Sequence, residues 1–128
     1  MIVVDASALV AIALGEPEQA AFQDALERAG SARLSPINYV ETGIILQRSG
    51  VVSGAAALNA WLADHGVTQA EADLGGPALS AYLRFGKGFH PARLNLADCF
   101  AYALAKHLDA PLLYKGDDFA QTDIRSAL

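Results

Sequence analysis

The sequence predicts an α/β fold built on a central parallel sheet. Three observations carry that reading. Short apolar runs of strand length alternate with longer amphipathic stretches, the order strand, helices, strand, helices, strand, helix, strand suits a parallel sheet, and 128 residues suffice for one hydrophobic core. The first run, "MIVVD", is apolar up to Asp5, as suits a buried strand whose last residue emerges at the sheet edge. Ser7 is then a candidate helix cap before the wholly apolar Ala8 to Leu14, and Gly15, Glu16 and Pro17 mark a stop and a restart. From Pro17 to Ala29, apolar residues recur at three- and four-residue spacing with charges between them, an amphipathic helix closed by Gly30. "ARLSP" reads as a second strand closed by Pro36, and "INYVETGIILQRSG" as a helix ending at Gly50 with Glu41 inside it. A further helix spans Ser53 to His65 and stops at Gly66, and "VTQA" is a third strand. Leu79 to Phe85 is helical until "GKGFHPARLN", whose glycines and proline force a loop. "LADCFAYALAKHL" is the last helix, with Asn95 placed to cap it and Asp98 in its positive first turn. Asp109 and Pro111 end it before "PLLYKGDDF", a short strand opening into a polar turn. No repeat or linker interrupts the chain, so residues 1–128 are expected to form a single domain.

Composition narrows the function classes. A hydrophobic fraction of 53% and a mean hydropathy of +0.27 argue against disorder and for a well-filled core or a buried partner surface. No uncharged apolar run approaches the roughly 20 residues that cross a bilayer. The opening residues carry no basic segment of the secretory kind, and the single cysteine, Cys99, fits a reducing compartment, so a cytoplasmic location is expected. Net charge is −5 and the isoelectric point about 4.9, which disfavours gripping nucleic acid by bulk electrostatics. One stretch departs from that balance: between Asp73 and Asp98 there is no acidic residue, while Arg84, Lys87, His90 and Arg93 all fall inside it.

The chemistry-bearing residues are carboxylates. In a parallel sheet all strand ends share one edge, where ligands bind. Asp5 ends the first strand, Glu41 follows the second, Asp98 starts the helix before the last strand, and Asp117 and Asp118 follow that strand. Glu41 is the most telling, because its helix is apolar on several sides and no Lys or Arg lies within a turn of it. Clustered oxygen ligands repel one another unless a hard divalent cation sits between them, and Mg²⁺ or Mn²⁺ favours such carboxylate sites. That combination points to phosphodiester chemistry without a histidine base. No phosphate loop of the G-x-x-x-x-G-K-[ST] type, H-E-x-x-H zinc helix, G-x-S-x-G elbow or paired C-x-x-C is present. Cys99 reads as core rather than nucleophile, His65 and His107 as helix-end residues, and Trp61, Tyr82 and Tyr102 as core or interface.

"MIVVDASALVAIALGEPE", "SPINYVETGIIL" and "GKGFHPARLNLADCFAYALAKHLDAPLLYKGDDFAQTDI" together resemble PIN-domain ribonucleases of the VapC type, the toxins of bacterial toxin–antitoxin pairs, across essentially the whole chain. The resemblance implies a three-layer α/β/α sandwich and an endoribonuclease using Mg²⁺ or Mn²⁺, with a water attacking the phosphodiester in line to leave a 5′-phosphate and a 3′-hydroxyl. It assigns the acidic positions to Asp5, Glu41 and Asp98, with the fourth acid at Asp117 or Asp118, all as metal ligands, and Ser7 in support. Arg84, Lys87 and Arg93 are then candidate RNA contacts. The partners implied are an RNA substrate, a VapB-type antitoxin and a second copy of the chain. A binding module without cleavage and a phosphoacceptor domain are the alternatives. The set of acids counts against the first, and Ala6 and Ser7 after Asp5, where a phosphoacceptor needs adjacent acids, count against the second.

Overall fold

The computed structural model describes residues 1–128. The strands β1 (Ile2–Val4), β2 (Ala32–Leu34), β3 (Val67–Gln69) and β4 (Leu112–Leu113) form one sheet in the order β3-β2-β1-β4. Every pairing is parallel: Val3 stands opposite Arg33 on one side and Leu112 on the other, and Arg33 stands opposite Thr68. Parallel pairing demands crossover connections, and the chain supplies helices for them. These are α1 (Ala6–Ala13), α2 (Gln19–Ala29), α3 (Pro36–Arg48), α4 (Ala55–Asp64), α5 (Gly75–Phe85) and α6 (Leu96–His107).

Strand alternation sorts the core into two halves. Ile2, Val4, Leu34 and Leu113 pack with Leu9, Ile12, Phe22, Leu46 and Leu58 from α1 to α4 on one face. Val3 and Leu112 pack with Ala78, Phe85, Tyr102 and Leu104 from α5 and α6 on the other. This is the α/β/α sandwich with a central parallel sheet that the sequence predicts.

Several boundaries differ, each for a local reason. The cap of α1 is Asp5, not Ser7: the Ser7 backbone N–H donates to Asp5 Oδ2 at 3.1 Å, so the helix starts two residues earlier than the apolar run suggests. Pro36 does not close a strand but occupies the first turn of α3, with Ser35 as the cap accepting from the Asn38 N–H. The second helix begins at Gln19 rather than Pro17. The fifth begins at Gly75, four residues before Leu79, because burial of Leu74 and Ala78 outweighs the weak helix propensity of Gly75 and Gly76. The last strand is only two residues long, and it gains a bridge the sequence did not suggest, Leu112 with Ser126 of the C-terminal tail.

Candidate metal-binding active site

The carboxyl edge of the sheet opens into a cleft of ≈ 380 Å³ lined by Asp5, Ser7, Glu16, Glu41, Asn95, Asp98 and Lys115 among others. Four elements converge here. Asp5 leaves β1 as the cap of α1 and is 4% exposed; Glu41 comes from α3 and Asp98 from the first turn of α6. The three acids named from sequence are thus brought together.

Their electrostatics follow from burial without neutralisation. No Lys, Arg or His forms an ion pair with Asp5, Glu41 or Asp98. Burial raises the Asp5 carboxyl above its ordinary value, against the lowering effect of its bonds to Ser7. Burial, and then the charge on Asp5, raises Glu41. Asp98 is pushed up to about 7, first by burial and then by Asp5, Asp118 and Glu41, while its bond from the Asn95 N–H pulls the other way. Asp98 is at once a site acid and a helix cap: its Oδ2 accepts from Asn95 N at 3.0 Å, and Asn95 Oδ1 accepts from Asp98 N at 2.8 Å. One carboxylate oxygen therefore holds α6 in place and the other remains free for the cleft.

Ser7 lines the cleft. Its Oγ accepts from the Lys115 N–H at 3.0 Å, stitching the end of β4 to the segment that carries Asp5. The two candidates for a fourth acid, Asp117 and Asp118, differ in their relation to Asp98. Of the two candidates in "KGDDF", Asp118 acts on Asp98 and Asp117 has no counterpart interaction; both are exposed beyond the turn at Gly116, where φ is 98°.

The cationic residues stand apart from the acids. Arg84, Lys87 and Arg93 do not line the cleft. Arg84 lies 3.8 Å from Asp123 and over the Phe85 ring, while Lys87 and Arg93 lie within the loop between α5 and α6. His90 Nδ1 accepts the Ala92 N–H at 3.0 Å within that loop. The cation in the cleft is Lys115, its ammonium 3.2 Å from both Glu16 and Glu18. Lys115, Glu16 and Asn38 were not singled out from sequence for the site, and only for Asn38 was there a local signal, its i,i+3 spacing to Glu41. Cys99 is fully buried, its thiol pushed up to about 11 by burial and the Asp98 charge, which makes it inert core.

The PIN domain family matches residues 2–125. The chain belongs to the PIN domain family. It is 44% identical to ribonuclease VapC42 of Mycobacterium tuberculosis, over 98% of each chain. It is also 40% identical to ribonuclease VapC30 of the same organism, over 95% of each. Among solved structures, VapC20 of M. tuberculosis, described as a toxin that cleaves the sarcin–ricin loop, superimposes with a TM-score of 0.68 at 21% identity, covering 97% of this chain and 96% of that one. That likeness shows the shared fold.

The donor set of the cleft can be tested against a divalent ion directly. The acids face one space, yet no three His, Cys, Asp or Glu side chains stand close enough to grip an ion as they are. Acids so spaced could hold an ion only through one or two carboxylates, with water in the remaining positions, a coordination that Mg²⁺ accepts. Buried, unpaired acids with raised proton affinity and oxygen-only donors fit a hard cation.

Proposed function

We propose that this chain is a divalent-metal-dependent endoribonuclease, the toxin of a VapBC-type pair, and that residues 1–128 act as one PIN domain in the cytoplasm. The observation that carries the proposal is the convergence of Asp5, Glu41 and Asp98 in one cleft with no ion pair to any of the three, in a chain whose relatives are named VapC ribonucleases. Asp5 and Asp98 would hold Mg²⁺ or Mn²⁺, with Glu41 and Asp118 completing the acidic ring; Asp117 supports this less. A bound ion supplies charge stabilisation at the phosphate and a water of lowered pKa, for attack in line that leaves a 5′-phosphate. The chain's own residues set the stage. Ser7 and the Asn95–Asp98 capping box hold two acids at fixed positions, and Lys115 places a cation at the cleft wall. Arg84, Lys87 and Arg93 supply phosphate contacts outside the cleft.

Partner binding rests on apolar exposure. Val40 and Ile44 on α3, Leu79 and Leu83 on α5, and Leu96 are all about half exposed or more. Faces of this kind suit a second copy of the chain and the amphipathic tail of an antitoxin.

Purified protein should cleave RNA with Mg²⁺ or Mn²⁺ and stop in excess chelator. Asp5→Asn and Asp98→Asn should each lower the cleavage rate by about a hundredfold or more while keeping the fold. In the second case an amide oxygen can still accept from Asn95 N. Full cleavage in chelator, or by either variant, overturns the metal reading.

A further inference from the structure

We propose that Asn38 is the positioning residue that sets the spacing of the three acids, holding them in register for the ion. The inference rests on the metal reading above and adds a residue to it. Asn38 is completely buried, at the third position of α3, one turn before Glu41.

Its orientation is determined by its partners. The Ser35 hydroxyl accepts the Asn38 backbone N–H and donates to the side-chain Oδ1, so the carboxamide must turn its NH₂ the other way. That NH₂ faces the site. It lies 3.4 Å from Asp5 Oδ1, 3.5 Å from Glu41 Oε1 and 3.3 Å from the carbonyl of Ala97, the residue before Asp98. One group thus touches all three acid-bearing segments: the end of β1, the helix α3 and the first turn of α6.

The stoichiometry gives the arrangement its use. A carboxamide has two N–H bonds, and here three acceptors share them at distances near the long end of the range. Its partial positive charge is the only side-chain donor set directly between Asp5 and Glu41, so it relieves their repulsion when no ion is present. It does so without the full charge of a Lys or Arg, which would compete with an incoming cation. A neutral donor that is shared rather than committed fixes where the carboxylates stand and leaves their other lone pairs free. Groups of this kind, one step behind the ligands, ordinarily govern affinity by about 10- to 100-fold.

Two variants separate positioning from packing. Asn38→Ala removes the donor. Asn38→Asp keeps the size and the Ser35 bond but replaces the NH₂ with an oxygen facing two acids. Mn²⁺ affinity is measured by calorimetry, and melting is followed in chelator and in Mn²⁺ for the full chain. The proposal expects Asn38→Ala to bind Mn²⁺ about tenfold or more weakly than wild type. It expects Asn38→Asp to melt below wild type in chelator, with a larger stabilisation by Mn²⁺ than wild type shows. Mn²⁺ affinity within twofold of wild type in Asn38→Ala overturns it, as does an equal loss of melting temperature with and without the ion in both variants; Asn38 would then be only a packing residue. A wild type that binds no Mn²⁺ overturns the metal reading itself and this inference with it.

Discussion

Asp98 shows how much one residue can carry. Its Oδ2 closes the capping box of α6 while the carboxyl group is pushed up to about 7 by burial and the neighbouring acids. The folded metal-free protein therefore binds a proton at Asp98 over a range where the unfolded chain, at its ordinary 3.8, does not. Stability from this group is fully present below the unfolded value and is lost as pH rises through the folded one, and Asp5 and Glu41 shift in the same direction. In chelator, the melting temperature should fall as pH rises from about 4 to about 7, and Asp98→Asn should flatten part of that slope. Mg²⁺ should reverse the trend, because its ligands must be deprotonated and the ion replaces the protons. Scanning fluorimetry at stepped pH checks both; a flat profile in chelator means the acids are neutralised by something other than protons. Glu41→Gln should be at least as stable as wild type in chelator and respond less to Mg²⁺, and a clear loss of stability without metal would mark Glu41 as a structural partner instead.

At the scale of elements, the helix that delivers Asp98 is aimed by the loop before it. Gly86 ends α5 in an extended conformation that any residue can adopt, yet a Cβ there would run into the Tyr82 carbonyl and ring. The close approach lets Leu94 return to bridge Gly86, with Leu94 N–H donating to the Phe85 carbonyl, so the chain enters α6 at Asn95 from a fixed direction. Gly86→Ala should cost about 1–3 kcal/mol, roughly 5–10 °C in Tm, and lower cleavage more than that instability explains. Thermal melts and cleavage assays well below Tm decide it; wild-type values for both would mean the loop adapts without moving α6.

For the whole molecule, the question is what covers the exposed apolar residues. Val40 and Ile44 on α3, Leu79 and Leu83 on α5 and Leu96 on α6 each leave about half or more of their surface to water. Light scattering of the isolated chain at micromolar concentration should give about twice 13.4 kDa. A strict monomer would remove the homodimer and leave the antitoxin to explain those faces. Inhibition by the antitoxin should weaken as Mg²⁺ rises if a cationic side chain enters among Asp5, Glu41 and Asp98, and should ignore Mg²⁺ if the cleft is only covered.

By itself the sequence determined the order of elements, the parallel sheet and the delivery of Asp5, Glu41 and Asp98 to one edge. Those features depend on periodicity, capping and strand ends, all of which act within a few residues, and the capping box of α6 is complete between Asn95 and Asp98. The same local rules misplaced the start of α5, where a tertiary contact overrode the propensity of two glycines. Only the tertiary structure decided that Lys115, rather than Arg84, Lys87 or Arg93, stands in the cleft, that Asp118 and not Asp117 acts on Asp98, and that Asn38 joins the acids. These depend on partners 33 residues apart for Asn38 and Asp5, 59 for Asn38 and Ala97, and 108 for Ser7 and Lys115. Contacts at such separations leave no period in the chain; they exist because parallel strands bring their carboxyl ends to one edge and buried polar groups there must find one another.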